Sequence, residues 1–326
     1  MLKYTLLAIL CFLNALLFSQ NHINPLNKNG ALTIKNGLIV NKNGVPPQLH
    51  GISFSWSVWQ GQKYYNPAVV DWLTTDFKVD IIRAAMAVEP DNGYLLQPQF
   101  QQQLIENTVD RAIKDGIYVL IDWHDHHGFK HLEQSKHFFA TMAKKYHGLP
   151  NVIYEIWNEP ERVGWDTVKN YAIQVITEIR KYDGQNLIIV GCPHWDQDVD
   201  IVAADAIKGF DNIAYSFHFY ASDPNHQAGL RSRADKALKM GLPLMVTEWG
   251  VGESNGNGVF DINENEAWLK WLADNKLSWI TWNLTDKQET TAILMPAAPV
   301  AGGWTTQQLT PGGSYIRQKL LTLSGN

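Results

Sequence analysis

From Pro47 to the C-terminus the chain alternates between two hydrophobic periods. Short runs rich in β-branched and aromatic residues read as buried strands: Gln48 to Ser53, Val79 to Met86, Tyr118 to Trp123, Val152 to Trp157, Leu187 to Gly191, Ile213 to Phe219, Leu244 to Glu248 and Trp279 to Leu284. Between them lie helical stripes, the clearest formed by Val168, Tyr171, Ala172, Val175, Ile176 and Ile179. Asn66-Pro67 and Thr310-Pro311 each place a capping side chain before a proline at the first helical position. Eight strands alternating with about eight helices predict an α/β fold, a parallel (β/α)8 barrel.

Ahead of this alternation, Leu32-Thr33-Ile34 and Leu38-Ile39-Val40 are separated by Asn36-Gly37, a strong hairpin signal. The hairpin is expected outside the main sheet, as a plug over the N-terminal end of the barrel. Earlier still, Lys3 precedes an apolar run from Tyr4 to Leu13, continued by Ala15 to Phe18. Asn14 interrupts a run already short of the roughly 20 residues a membrane span needs, so residues 1–20 read as a secretory signal peptide. Leu10 before Cys11 is too large for a lipoprotein signal. No linker or charge run divides residues 21–326, which are expected to form one catalytic domain, secreted or periplasmic and monomeric.

Composition narrows the partners. The chain carries 27 Lys and Arg against 32 Asp and Glu, a formal charge of −5 that becomes −6 when Lys3 leaves with the leader. A mild negative balance without basic runs argues against nucleic acid or an anionic membrane surface. Only Cys192 remains after residue 20, which excludes an internal disulfide and fits a small buried hydrophobe. Thirteen tryptophans and 12 tyrosines exceed ordinary use, and aromatic faces stack on sugar rings, although a large core would also hold them.

In parallel α/β architectures the C-terminal ends of the strands carry the chemistry. Here those ends collect polar groups: Ser53, Arg83, Asp122 with His124, Asn158 with Glu159, His218 with Tyr220, Glu248, and Asn283 beside Trp282. Glu159 and Glu248 are the sharpest pair. Glycosidic cleavage uses one carboxyl to protonate the leaving oxygen and a second to attack or to activate water. A separation of about 5 Å implies retention of configuration, and one of roughly 6.5 to 9.5 Å implies inversion.

Trp157-Asn158-Glu159-Pro160, His218-Phe219-Tyr220, Thr247-Glu248-Trp249-Gly250 and the segment from Trp282 to Lys287 together resemble glycoside hydrolase family 5, the cellulase A family. The likeness runs from about Ala31 to the last helix. It implies an endo-β-1,4-glucanase that needs no cofactor or metal and acts on cellulose or soluble β-glucan. Glu159 becomes the general acid/base and Glu248 the nucleophile. Arg83 and Tyr220 are expected beside Glu248, favouring its ionised form, while repulsion from that charge keeps Glu159 protonated. The resemblance also implies sugar contacts by Asn158, His124 and His218, a stacking platform at Trp282, another at Trp195 on the leaving-group side, and more distant contacts by Lys287 and Glu289. Trp56 joins the groove, while Trp59, Trp72, Trp268 and Trp271 fit helix or loop packing. Glu155 is expected as a structural charge inside the barrel.

Two other readings use the same scaffold. Mannan, xyloglucan or mixed-linkage glucan are alternative substrates. The run His124-Asp125-His126-His127 also resembles the opening of a metal-dependent amidohydrolase site, although there the His-x-His pair belongs to the first strand and here it falls on the third. On the main reading His126 and His127 are loop residues. No carbohydrate-binding module is visible beside the barrel, which points to soluble or amorphous glucan.

Overall fold

Apolar strands buried on both faces need helices outside and a filled interior within, and a closed barrel supplies both. The computed structural model describes residues 24–324; the expected signal peptide lies outside the described residues. A two-stranded antiparallel hairpin, β1 (Thr33–Lys35) and β2 (Leu38–Val40), precedes the barrel. The barrel strands are β3 (His50–Phe54), β4 (Ile81–Ala87), β5 (Tyr118–His124), β6 (Val152–Glu155), β7 (Ile188–Val190), β8 (Ile213–Tyr220), β9 (Leu244–Gly250) and β10 (Trp279–Leu284). They close in chain order with β10 against β3, and all eight neighbouring pairs are parallel.

The period-2 pattern divides each strand between two cores. Ile82, Ala84 and Met86 of β4 face the helical shell, as do Val119, Ile121 and Trp123 of β5. Ile81, Leu120, Ile153, Ile189, Ala214, Met245 and Ile280 instead meet inside the lower barrel, where Leu32 and Ile39 of the hairpin pack beneath them. The hairpin is therefore the expected plug. Tyr118 ties it down by donating a hydrogen bond to the Gly30 carbonyl at 2.5 Å. Just ahead of it sits a short helix, Pro25–Asn29, capped by Asn24, which the apolar pattern does not reveal.

The helical signals hold in detail. Asn66 accepts from the Val69 N–H at the start of helix Pro67–Trp72, and Thr310 accepts from the Gly313 N–H in helix Pro311–Ser324. The whole stripe from Val168 to Ile179 is buried on helix Trp165–Arg180. Trp268 stacks on Phe219 at 3.6 Å between centroids, so it is core as expected. Cys192 is buried, and burial pushes its thiol well above the usual range.

Strand ends differ from the sequence pattern by at most two residues. β6 stops at Glu155, not Trp157, because its neighbour β7 is only three residues long and the regular ladder has no partner beyond Ile189. Asn158 and Glu159 thus lie on the loop beyond the strand, held by a bond from the Asn158 N–H to the Trp123 carbonyl.

Gly51 of β3 lies where the barrel wall is tightest: a Cβ there would come within 1.8 Å of the Ile81 carbonyl oxygen. Gly51→Ala is expected to lower stability by about 3 kcal/mol, the upper end of ordinary overpacking. A denaturation midpoint equal to wild type would contradict that close approach.

Candidate active site

Above the apolar lower layer, the inward positions of the strands become polar. Arg83 of β4 is fully buried among Asp122 of β5, Glu155 of β6 and Glu248 of β9. Its Nε donates to Glu155 at 2.6 Å, one terminal nitrogen to Glu248 at 2.8 Å, and the other to the Asn158 side-chain oxygen at 2.6 Å, with Asp122 paired to that nitrogen as an ion 2.9 Å away. Burial works to discharge the guanidinium, but the surrounding carboxylates outweigh it and hold it firmly charged. Arg83 therefore stands beneath the groove and orients Glu248 and Asn158. Asn158 keeps a buried side-chain N–H without a protein partner.

A bulge in β9 aims the second glutamate. Ser216 of β8 pairs with Met245, yet His218 pairs with Glu248, so β9 carries one extra residue over the same span. A bulge re-aims side chains next to a site. The result turns both Thr247 and Glu248 toward the barrel interior. Thr247 meets Ser216 and approaches His218 Nε2 at 2.8 Å, while Tyr220 donates to Glu248 at 2.7 Å. Burial and the Glu248 charge push the Tyr220 phenol well up, which keeps it a donor.

Glu159 reaches the same point from the loop after β6, in a left-handed conformation with φ +48°. One carboxylate oxygen of Glu159, one of Glu248 and a ring nitrogen of His218 lie within 4.8 Å of one another. His218 Nδ1 is 3.0 Å from Glu159 and 3.5 Å from Asp196, a buried carboxylate that accepts the Glu159 N–H at 2.9 Å.

The protonation order differs from the expected one. Burial raises Glu159, but its hydrogen bond and attraction to His218 more than offset that and leave it below the ordinary carboxylate value. Burial, followed by repulsion from Glu159, raises Glu248 despite Arg83 and Tyr220. His218 is pushed up to about 9: burial opposes its charge, and Asp196, Glu159 and Glu248 overcome it. The hydrogen bond and these opposing shifts favour charge on both His218 and Glu159, and the imidazole and the two carboxylates titrate together.

Two cavities meet at the carboxylates. One of about 450 Å³ is lined by Trp56, Trp59, His124, Trp282, Lys287 and Glu289, among others. The other, of about 920 Å³, is lined by Trp195, His194, Gln197, His218 and Arg233, among others. Both share His126, Glu159, Tyr220 and Ser254, so the groove passes the two glutamates on either side. Trp282 lies parallel to His124, with an interplanar angle of 3°. Lys287 pairs with Glu289 at 2.6 Å, and Asn283 also donates to Glu289. Glu155 lies below, touching neither cavity.

Two loop side chains prove to border the groove. Trp59 is 63% exposed and borders the groove, 5.7 Å from Trp56, and so is not a packing residue. His126 is likewise a groove residue: it stacks on Trp56 and stands 3.9 Å from Glu159 and 3.6 Å from Glu161. Around it, His124 faces Asp122 at 2.7 Å, His127 faces Glu89 at 3.0 Å and His131 faces Asp125 at 2.8 Å. Burial, followed by the Arg83 charge, holds His124 well below the ordinary histidine value, so it is neutral. Asp122 was placed at its strand end from sequence, but Thr247 and Asp196 were given no role there. Strand alternation pairs Asp122 with His124 on one face, but no local pattern marks Thr247 or Asp196.

A closed parallel barrel with two facing glutamates over an aromatic groove defines the glycosidase class of (β/α)8 barrels. The chain belongs to the cellulase family, glycosyl hydrolase family 5, whose family model matches residues 40–288. It is 38% identical over 311 residues to endoglucanase N of Pectobacterium atrosepticum, covering 94% of this chain and 69% of that one. A Cytophaga hutchinsonii structure matches at TM-score 0.90 and 42% identity, covering 93% of this chain and 98% of the other. The catalytic domain of Thermobifida fusca endoglucanase Cel5A, in complex with cellotetraose, matches at TM-score 0.86 and 30% identity, covering 91% and 99%. The chain spans 60% and 57% of two further curated endoglucanases, from Pectobacterium carotovorum and Evansella cellulosilytica. Family membership sets aside the amidohydrolase class raised by His124 and His126.

The His218 charge makes stability pH-dependent. Its folded value of about 9 lies above the unfolded value near 6.5, so the folded state binds more protons between these limits. Its contribution is complete below pH 6.5 and is lost as pH rises through 9. Denaturant midpoints are expected to fall across that window, and His218→Asn to flatten the fall; equal slopes in both proteins would contradict the assignment. Arg83→Met, which leaves buried carboxylates without their cation, is expected to cost about 3–5 kcal/mol by the same measurement.

Proposed function

We propose that the protein is an exported endo-β-1,4-glucanase that cleaves internal bonds of cellulose or soluble β-glucan with retention of configuration. The observation that carries this reading is the placement of Glu159 and Glu248. Their closest oxygens lie within 4.8 Å of each other, nearer the spacing of retaining pairs than the roughly 6.5 to 9.5 Å of inverting ones, in a groove that continues past them on both sides. A pocket closed at one end would suit release of single units from chain ends. A through-groove suits attack within a chain.

Glu248 attacks the anomeric carbon while Glu159 protonates the departing oxygen, drawing on the proton held at His218. The Glu248 ester then replaces a charge by a neutral group, and Glu159 activates water for the second displacement. Asn158, with its free N–H, is placed to bond the sugar 2-hydroxyl as the oxocarbenium-like state develops. Trp282 and Trp56 on one side and Trp195 on the other offer faces for successive sugars. Export rests on the apolar leader; among the described residues no helix is long and apolar enough to cross a membrane.

Carboxymethyl cellulose, mannan and xylan tested in parallel should give rapid viscosity loss with the first alone; faster cleavage of mannan would transfer the substrate to that polymer. Proton NMR of cellopentaose hydrolysis should show the β-anomer first, and an α-product at early times would exclude retention. Glu159→Ala is expected to lower kcat/KM on cellopentaose by roughly 10²–10⁴-fold, the range of a general acid. Sugar release unchanged by Glu248→Gln would remove Glu248 as nucleophile.

A further inference from the structure

We propose that Asp196 is a positioning residue for the acid/base glutamate, fixing the Glu159 backbone and determining where the proton shared with His218 is held. The inference rests on the assignment of Glu159 as acid/base. Asp196 is fully buried and touches neither substrate cavity. Both of its oxygens are used. One accepts the Glu159 N–H at 2.9 Å and lies 3.5 Å from His218 Nδ1; the other accepts the Cys192 N–H.

The backbone on both sides of that contact is unusual. Glu159 has φ +48°, and His194, Trp195 and Asp196 follow one another at φ +59°, +54° and +60°. L-residues rarely adopt this region, least of all three in succession, so surrounding contacts must hold them there. The contacts form a closed loop. The Asp196 N–H donates to the Cys192 carbonyl, the Trp195 N–H donates to the Pro160 carbonyl, and the Asp196 carboxylate returns to Glu159 and Cys192. One side chain thereby ties the glutamate to the turn that presents Trp195 to the larger cavity.

An amide could not do the same. Two backbone N–H groups point at this side chain, and asparagine offers one acceptor oxygen and an NH₂ group. The charge matters as well, because the carboxylate faces His218. Around the pair stand Arg83 from β4, Asp122, His124 and His126 from β5 and its following loop, Glu155 and Glu159 from β6 and its loop, Glu248 from β9, and the Cys192 thiol. Asp196 is raised to about 7 by burial, against the pull of His218, and carries charge above that pH. Its attraction is the largest favourable contribution to the His218 charge.

The test compares wild type, Asp196→Asn, Asp196→Glu and Glu159→Ala on two substrates. Cellopentaose has a sugar leaving group that needs a proton; 2,4-dinitrophenyl β-cellobioside has one that departs without it. Asp196→Asn is expected to lower kcat/KM on cellopentaose about 10-fold or more through kcat, within the range of acid catalysis, while sparing the aryl substrate. Its alkaline limb should shift to lower pH, and Asp196→Glu should restore the limb by restoring the charge. Equal losses on both substrates with an unchanged pH profile would reduce Asp196 to a structural role and overturn the proposal. If Asp196→Asn does not fold, NMR titration of His218 in the wild-type protein decides: a midpoint near 9 supports the proposal, and one near the ordinary 6.5 overturns it. Glu159→Ala is the separate control. If it too loses both substrates equally, the acid/base assignment fails and this inference falls with it; if only Asp196→Asn behaves so, the assignment of Glu159 stands.

Discussion

The upper half of the barrel is organised by one buried cation. Arg83 faces three carboxylates, from β5, β6 and β9, in a space that excludes water. Each of those acids would be costly to bury alone, and the guanidinium cannot be titrated away at any ordinary pH. An apolar replacement of the whole cluster could leave the barrel equally stable, since buried ion clusters often gain little over well-packed hydrophobes. It would lose the geometry. Arg83 holds Glu248 by one terminal nitrogen and Asn158 and Asp122 by the other, and Asp122 in turn meets His124. The cluster makes sense as a frame for the groove more than as a source of stability.

The two ends of the barrel interior differ in character. The lower layer is apolar and closed by the hairpin. Three departures from ideal geometry at the upper end shape the site: the bulge in β9, the left-handed Glu159 and the left-handed turn from His194 to Asp196. Each turns a polar side chain to a place that strand alternation would not give it. Strain of this kind persists only when neighbouring contacts over-determine it, and the Asp196 carboxylate and the Ser216–Thr247–His218 contacts are of that type.

This division explains what could be read from the amino-acid order. Strands, helices and plug depend on period and capping, which are local, so all eight strands and the hairpin were legible to within a few residues. Glu159 and Glu248 were legible because a charged residue ending an apolar strand has few structural uses. Glu155 could be placed inside the barrel from its position on the same strand. The bulge was not legible, since Val246-Thr247-Glu248 reads as ordinary strand until its neighbour's register is known. Asp196 belongs to a turn whose conformation is imposed by contacts 37 residues away in sequence. Trp59 and His126 were missed because a tryptophan or histidine on a loop carries no sign of which way the loop folds.

The protonation order also depends on contacts that only the fold creates. From sequence, two glutamates alone suggest mutual repulsion with Arg83 favouring charge on one of them. The folded site adds His218, held between Asp196 and Glu159, and the proton moves to the imidazole. A histidine charged to about pH 9 beside the acid changes the demand on Glu159. Under the proposed function, Glu159 need not hold a proton through the resting state, only accept one from a neighbour 3.0 Å away as the leaving oxygen develops charge. Asp196, Glu159 and Glu248 all favour the His218 charge, so a change of charge on any one of them shifts the imidazole with it. The balance between His218 and Glu159, and not either value alone, therefore governs where the shared proton sits.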